Sequence, residues 1–310
     1  MKTVVMYHSR CFDGTMAAAA ALQAIQDGKL DCDPVKGLIP IGYNDSTPEG
    51  FFAATGESPY SLAQEERAEE FIFVDFCPKA ETVTQLLDRG HTVVILDHHK
   101  TAQEDAVKLE GLEGLELNFD MSKSGAMMAW EYFNGCAPTL AHHVQDRDLW
   151  LWKMDFTKEV MAWLGSFAET NNPQSYLDAI LKFEFEKHEV IAVGEMLTAQ
   201  MNDAVKKMAS AFRYAEIPNF GRGIVVNATF YQSEVCEYLY DNHEVPFVVA
   251  YAGTRGGQYS LSFRSKKGAA HSIDVTKLAA EFGGGGHYNA AGGVAELEVW
   301  TEVLQGSEHQ

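Results

Sequence analysis

His91-Thr92-Val93-Val94-Ile95-Leu96-Asp97-His98-His99 is the stretch that decides the fold. Its apolar run is continuous rather than alternating, which marks a strand buried on both faces, as in parallel sheets. It then breaks into three ionisable side chains at its carboxyl end. Two other runs end the same way. Phe71-Ile72-Phe73-Val74 stops at Asp75, and residues 3–7 stop at His8, with Asp13 just beyond. Residues 35–43 read as a further strand. Between the strands lie helical stretches: 14–26, rich in alanine and closed by Asp27-Gly28, and 79–89. This βαβ alternation predicts an α/β fold whose N-terminal part is a parallel sheet with helices on both faces.

Residues 44–70 are rich in Gly, Pro, Ser, Asp and Glu and read as a loop, with one helical turn over 63–70. Residues 160–215 are helical in pattern and read as a connector. A smaller α/β domain follows: a strand at 223–227, a helix at 233–240, a hairpin of 247–252 and 259–264 turned by Thr254-Arg255-Gly256-Gly257, and a helix at 274–282. The expected division is thus 1–160, a connector 161–220, and 221–310.

The 310 residues suffice for two domains, and 46% hydrophobic with 22% charged residues is the composition of a folded chain. No run approaches the ~18 apolar residues of a membrane span. The N-terminus has too short an apolar run for a secretory signal, so a cytoplasmic protein is expected. Five scattered cysteines without a C-x-x-C pair read as reduced thiols. A net charge of −20 argues against a protein that grips long duplex nucleic acid by its phosphates. It leaves room for a small anionic substrate, because a metal cluster and a few basic groups reverse the field inside one cleft.

In open α/β sheets ligands sit at the carboxyl ends of the strands, where three separate strands here deliver His and Asp. One acid after a strand is usually a cap or a solvated turn; three converging on one edge point to a site. Carboxylate plus imidazole suits Mn²⁺, Mg²⁺, Fe²⁺ or Co²⁺. An aspartate shared by two such ions about 3.5–4 Å apart gives the geometry of phosphoryl displacement. His99, beside His98, reads either as a residue that orients or protonates a group or as a supporting or packed histidine. Ala141-His142-His143-Val144-Gln145-Asp146-Arg147-Asp148 reads as helix; Asp146 is a further carboxylate there, although alone it looks like a solvated helix end. In the second domain, Arg264 and the run Gly283-Gly284-Gly285-Gly286-His287 offer a guanidinium, backbone amides and an imidazole to an anion.

Four segments together resemble the DHH/DHHA1 phosphoesterase superfamily: His8-Ser9-Arg10-Cys11-Phe12-Asp13-Gly14, Val74-Asp75, Leu96-Asp97-His98-His99, and Gly284-Gly285-Gly286-His287-Tyr288-Asn289-Ala290-Ala291-Gly292. The resemblance implies a two-domain protein with its active site in the cleft between the domains, working with two Mn²⁺ ions (Mg²⁺ or Co²⁺ as alternatives). It implies His8, Asp13, Asp75, His98 and Asp146 as metal ligands, with Asp75 bridging. His99 and Asp97 become the catalytic pair. Ser124, at a helix start whose amides suit an anion, joins Arg264, Gly285, Gly286 and His287 in holding substrate. Cys11 stands where the family's motif often has an aspartate, and two readings are open: a thiol ligand, or a packed thiol without metal contact. The function implied is hydrolysis of short oligonucleotides or of cyclic or linear nucleotides, exonuclease fashion, by a cytoplasmic enzyme for which a homodimer is allowed. An exopolyphosphatase is the runner-up, and a weakened nucleotide-binding module, supported by Cys11 alone, comes third.

Overall fold

The computed structural model describes residues 3–53, 58–65 and 67–307; the parts of the 44–70 segment at 54–57 and 66 lie outside it. The chain divides into two compact units, Met1–Thr198 and Ala199–Gln310. Among the described residues no helix is long and apolar enough to cross a membrane.

The first unit is built on five parallel strands in the order β2-β1-β3-β4-β5: β1 (Thr3–His8), β2 (Leu38–Ile41), β3 (Glu70–Val74), β4 (Thr92–Asp97) and β5 (Leu115–Phe119). The helices are α1 (Phe12–Gln26), α2 (Pro48–Phe51), α3 (Pro59–Glu65), α4 (Ala80–Asp88), α5 (Gln103–Leu109), α6 (Gly125–Asn134), α7 (Thr139–Asp148), α8 (Thr157–Phe167) and α9 (Pro173–Ala209), whose residues from Ala199 on belong to the second unit. They cover both faces of the sheet. Val5, Tyr7, Ile72, Val74, Val94 and Leu96 pack on one face with α1, α6, α7 and α8. Val4, Met6, Phe71, Phe73, Val93 and Ile95 pack on the other with Phe51, Val83, Leu86 and Leu109. Alternate side chains of one strand therefore enter two different cores, which is why the strands read as unbroken apolar runs. Five successive alanines, Ala17 to Ala21, are fully buried, and the slimness of that face lets α1 approach α6 closely enough for Asn134 Nδ2 to donate to the Ala20 carbonyl at 2.9 Å.

The 44–70 segment is not a plain loop. Thr47 Oγ1 accepts from the Gly50 amide and Pro48 opens α2; Ser58 Oγ accepts from the Ser61 amide and Pro59 opens α3. An N-cap hydroxyl followed by proline at the first helical position is a start signal that composition obscures. The helical turn expected at 63–70 is displaced toward the N-terminus, because residues 70–74 belong to β3. Strand β5 lies beyond the expected set. It is an edge strand with half-buried Leu115, Leu117 and Phe119, too weakly apolar to stand out.

The second unit holds a six-stranded mixed sheet in the order β10-β11-β9-β8-β7-β6: β6 (Arg213–Ile217), β7 (Gly221–Asn227), β8 (Val248–Gly253), β9 (Gln258–Arg264), β10 (Gly285–His287) and β11 (Ala290–Glu296). Its helices are α10 (Gln232–Asn242), α11 (Val275–Ala280) and α12 (Leu297–Gln305). The expected hairpin is β8–β9, antiparallel and closed by the Thr254 amide on the Gln258 carbonyl at 2.7 Å. Strand β6, inside the stretch read as helical connector, alternates Tyr214 and Glu216 with Ala215 and Ile217 and pairs with β7.

Candidate metal centre

Tyr7 pairs with Val74, and Val74 with Leu96. The next residues, His8, Asp75 and Asp97, therefore leave three adjacent strands at one level. The strand order places β2 and β3 on opposite sides of β1, so the point where the winding reverses lies between β1 and β3. Ligands of doubly wound sheets bind at such a reversal, at the carboxyl ends of the strands. His8 and Asp75 flank it.

The side chains converge. His98 Nε2 lies 3.0 Å from Asp75 Oδ1, 3.4 Å from Asp13 Oδ2 and 3.7 Å from Asp148 Oδ2. His8 Nδ1 stands 3.5 Å from Asp75 Oδ2 without forming a hydrogen bond. His99 Nδ1 donates to Asp97 Oδ1 at 2.8 Å and lies 3.8 Å from Asp75 Oδ1. Two triads each place one ligand atom per residue within 4.8 Å of the others: His8, Asp75 and His99, and Asp13, Asp75 and His98. Asp75 belongs to both.

The electrostatics of this cluster call for cations. Burial, followed by the carboxylates of Asp75 and Asp148, pushes the Asp13 carboxyl up to about 7, with His98 acting in the opposite sense. Burial also raises Asp148, against the charge of His98. For His98, burial alone lowers basicity, but Asp13, Asp75 and Asp148 override it and raise the imidazole well above its usual value. Asp75 is the converse: burial favours its neutral form, and contact with His8 and His98 overcomes this and holds it well below the carboxylate range. His8 Nδ1, Asp75 Oδ2, Asp97 Oδ2 and Asp148 Oδ2 are all buried without a hydrogen-bond partner. Leaving such atoms unsatisfied costs about 1–3 kcal/mol each, more for charged groups. Orphaned carboxylate and imidazole atoms facing one another fit a pair of hard divalent cations.

Local sequence explains how the groups come so close. A Cβ on Gly125 would meet Asp75 Cβ at 2.4 Å, and one on Gly14 would meet the His8 carbonyl oxygen at 2.1 Å. Only glycine allows α6 and α1 to start against the ends of β3 and β1. Asp75 itself has φ of +56°, a left-handed conformation that is strained for an L-residue and concentrates at functional sites.

Asp13 has a second task. Its oxygens accept from the Gly125 amide at 2.6 Å and the Ala126 amide at 3.1 Å, while Ser124 Oγ caps the Met127 amide. The α6 N-terminus, expected to receive a substrate anion, is taken by the protein's own carboxylate, and Ser124 is fully buried. The expectation that Ser124 touches substrate is corrected accordingly.

Asp146 is corrected too. Its carboxylate accepts from the Lys153 amide at 2.8 Å, the Met154 amide at 3.1 Å and Thr157 Oγ1 at 2.7 Å, and so anchors the turn between α7 and α8. Asp148 stands nearer the His98 group, its Oδ2 3.7 Å from His98 Nε2. The two aspartates lie on different helix faces: Leu140, Ala141 and Val144 are buried, and 148 continues their stripe at i+4 from 144, whereas 146 follows His143 on another face. Cys11 is the N-cap position of α1 and lies near the cluster; burial and the charges of Asp75, Asp148 and Asp13 push its thiol well above the usual range. Asp97 orients His99 rather than joining either triad.

In the second unit, Arg264 spends donors internally: Nη2 on Ser233 Oγ at 2.8 Å, and Nη1 on the Phe263 and Ala291 carbonyls at 2.9 and 3.3 Å. The glycine run is not a plain loop, since Gly285, Gly286 and His287 form β10. A Cβ on Gly284 would meet the Gly292 oxygen at 1.8 Å, and Gly286 has φ of +142° with Ala290 oxygen 2.6 Å from its notional Cβ. The close approach that these two glycines permit is that of β11.

Residues 232–308 match the DHHA1 domain. An uncharacterized protein of Acanthamoeba polyphaga mimivirus is 27% identical over 93% of this chain, which spans 66% of that relative's length, just under two thirds. An exopolyphosphatase-related protein from Bacteroides fragilis has a similar structure, with a TM-score of 0.51 at 15% identity over 98% of this chain and 90% of its own. A pGpG-specific phosphodiesterase from Vibrio cholerae aligns with a TM-score of 0.47 at 13% identity, over 98% of this chain and 97% of its own. The C-terminal part of the chain thus carries a DHHA1 domain, and Asp97-His98-His99 stands at the end of β4 in the first unit.

Proposed function

We propose that this protein is a divalent-metal-dependent phosphoesterase, with Mn²⁺ as the preferred ion, that hydrolyses phosphodiester bonds in short oligonucleotides or small nucleotides. The observation that carries the reading is the sharing of Asp75 by two ligand triads. In this reading Asp75 would be shared between two ions, His8 and His99 would hold one, Asp13 and His98 would hold the other, and Asp148 would add a carboxylate beside His98. Bound ions supply Lewis acidity toward the phosphoryl oxygens and lower the pKa of a water nucleophile. The chain's own residues supply the rest. Asp97 fixes the His99 ring by accepting a hydrogen bond from its Nδ1–H, which leaves Nε2 as the lone-pair nitrogen; carboxylate–histidine pairs of this kind orient metal ligands. Asp13, tied to the α6 amides, keeps its side of the site rigid.

The −20 net charge favours a short substrate over a polymer held along its length. A polyphosphate substrate calls for a row of basic groups, and Lys266 of the Lys266-Lys267 pair is paired with Asp241 at 2.7 Å. The test is an activity panel with Mn²⁺ over a labelled dinucleotide, a longer oligonucleotide, a cyclic mononucleotide and polyphosphate, with Asp75→Ala as control. Cleavage of the short nucleotides, abolished in Asp75→Ala together with all Mn²⁺ binding, is expected. Wild-type turnover in Asp75→Ala refutes the two-metal reading, and phosphate release from polyphosphate alone replaces the substrate class.

A further inference from the structure

A cluster of buried carboxylates repels a phosphate until something positive meets its oxygens, and bound cations leave some of those oxygens free. Arg10 lies two residues beyond His8 and three before Asp13, in the loop at the carboxyl end of β1. Its backbone has φ of +57°. That conformation costs an L-residue roughly 1–2 kcal/mol and costs glycine nothing comparable. The loop is nevertheless held there firmly. Asn171 Oδ1 accepts from the Arg10 amide at 2.7 Å. Asn171 is itself left-handed, with φ of +60°. Its carbonyl accepts from Tyr7 Oη at 3.1 Å and its amide donates to Thr15 Oγ1 at 3.4 Å. Thr15 Oγ1 in turn donates to the Cys11 carbonyl at 2.8 Å.

None of these bonds uses the Arg10 side chain. It is exposed, and among the described residues it makes no ion pair, although the chain carries a net charge of −20. Lys29, Lys79, Lys123, Lys182 and Lys266 each have a carboxylate partner. The fold would prefer glycine at position 10 and makes no use of the guanidinium. Strain retained at such a position points to function. Asp75, the proposed bridging ligand, is also left-handed, with φ of +56°.

We propose that Arg10 is a substrate-binding residue whose guanidinium takes a phosphoryl oxygen at the edge of the metal cluster, and that Asn171 is its positioning residue. This rests on the phosphoesterase reading. The planar fork of arginine pairs with two phosphate oxygens at once, which an ammonium does not reproduce.

Calorimetric titration of inorganic phosphate into the Mn²⁺-loaded full chain tests the assignment. Variants Arg10→Gly, Arg10→Lys and Asn171→Gly accompany the wild type, each with its melting temperature and Mn²⁺ affinity. A charge-assisted pair is worth ~1.5–3 kcal/mol, so Arg10→Gly should weaken phosphate binding roughly 10- to 100-fold. Arg10→Lys should recover part of the loss, and Asn171→Gly should show a smaller loss. Because glycine suits the left-handed loop, the melting temperature and Mn²⁺ affinity of Arg10→Gly should match or exceed those of wild type. Equal phosphate affinity in wild type and Arg10→Gly overturns the proposal, as does the absence of phosphate binding to wild type. A fall in Mn²⁺ affinity or melting temperature in Arg10→Gly also overturns it, since the role is then structural. If the wild type hydrolyses no phosphoester yet binds phosphate through Arg10, the anion site stands and the catalytic reading falls.

Discussion

Two aspartates on one turn of helix, Asp146 and Asp148, should respond to removal in opposite ways. Asp146→Ala deletes the acceptor of three hydrogen bonds, from the Lys153 and Met154 amides and Thr157 Oγ1. Bonds to a charged acceptor are worth about 1.5–3 kcal/mol each, though water replaces part of the set, so the net loss should be ~3–5 kcal/mol. At roughly 2–4 °C per kcal/mol for a domain of this size, the melting temperature should fall by about 6–20 °C. Asp148→Ala removes a carboxylate with a buried, unpartnered oxygen. Its folded pKa is raised, so above the unfolded carboxylate range its charge opposes folding. The metal-free variant should therefore melt at or above the wild-type temperature at neutral pH, with any gain vanishing below about pH 4. Mn²⁺ reverses the comparison. At a hundred times Kd a bound ion stabilises by ~2.7 kcal/mol, and a hundredfold weaker site retains only ~0.4 kcal/mol at the same concentration. Thermal melts in chelator and in manganese chloride read both effects. A strongly destabilised apo Asp148→Ala that keeps its full Mn²⁺ response would refute the assignment. So would a stable apo Asp146→Ala that has lost the response.

Gly125→Ala forces a methyl to within 2.4 Å of Asp75 Cβ, about 1 Å short of contact; overpacking of this kind costs ~1–3 kcal/mol. A shift of that size in a catalytic group costs on the order of 100-fold in turnover, so kcat should drop far more than stability; full activity would show that Asp75 needs no such proximity. Asp97→Asn retains size but removes the charge that orients His99 Nδ1. A 10- to 100-fold loss of metal affinity or kcat is expected, and an unchanged value of both refutes the orienting role. The pH response follows from Asp13, raised to about 7. A carboxyl with a raised folded pKa binds a proton on folding, so the apo protein should lose stability as pH rises from about 4 to 7. His98 and His8, also raised, act in the same direction at and above the ordinary imidazole range. Asp75 acts oppositely, but only below the ordinary carboxylate range. Stabilisation by Mn²⁺ should accordingly grow over the same interval, as protons leave the ligands; a flat response in melts from pH 5 to 8 refutes this.

The strand-borne part of the candidate site was legible in the sequence because each candidate ligand follows an apolar run with no alternation, and such runs occur where both sheet faces are covered. His8, Asp75, Asp97, His98 and His99 could be placed on one edge from that pattern alone. The nearness of Asp148 to His98 was not found, because a charged helix end offers two aspartates and both of their helix faces carry buried residues. Ser124 looked available to substrate because a sequence does not show that Asp13 has already occupied the amides beside it. Elements were missed where burial is partial: β5 and β6 alternate polar and apolar residues at sheet edges, and α2 and α3 are announced by caps rather than by periodicity. The glycines of β10 and β11 gave a correct sense of close approach, but the approaching backbone at Gly284 and Gly286 is the chain's own.

The alignment of His8, Asp75 and Asp97 at one level has a consequence for how the molecule is made. The pairing that sets it joins positions far apart in the chain, Thr3 beside Glu70 across 67 residues, and the ligand set closes only with Asp148. Contacts of such separation form late in folding, after the loops between them have been closed. No short segment of the nascent chain holds enough ligands to capture an ion, so the cation cannot template the sheet. On the metal-dependent reading, metal uptake is expected to follow formation of the N-terminal unit. Chelator present during refolding should leave the rate of sheet formation unchanged, and should lower only the stability of what has formed.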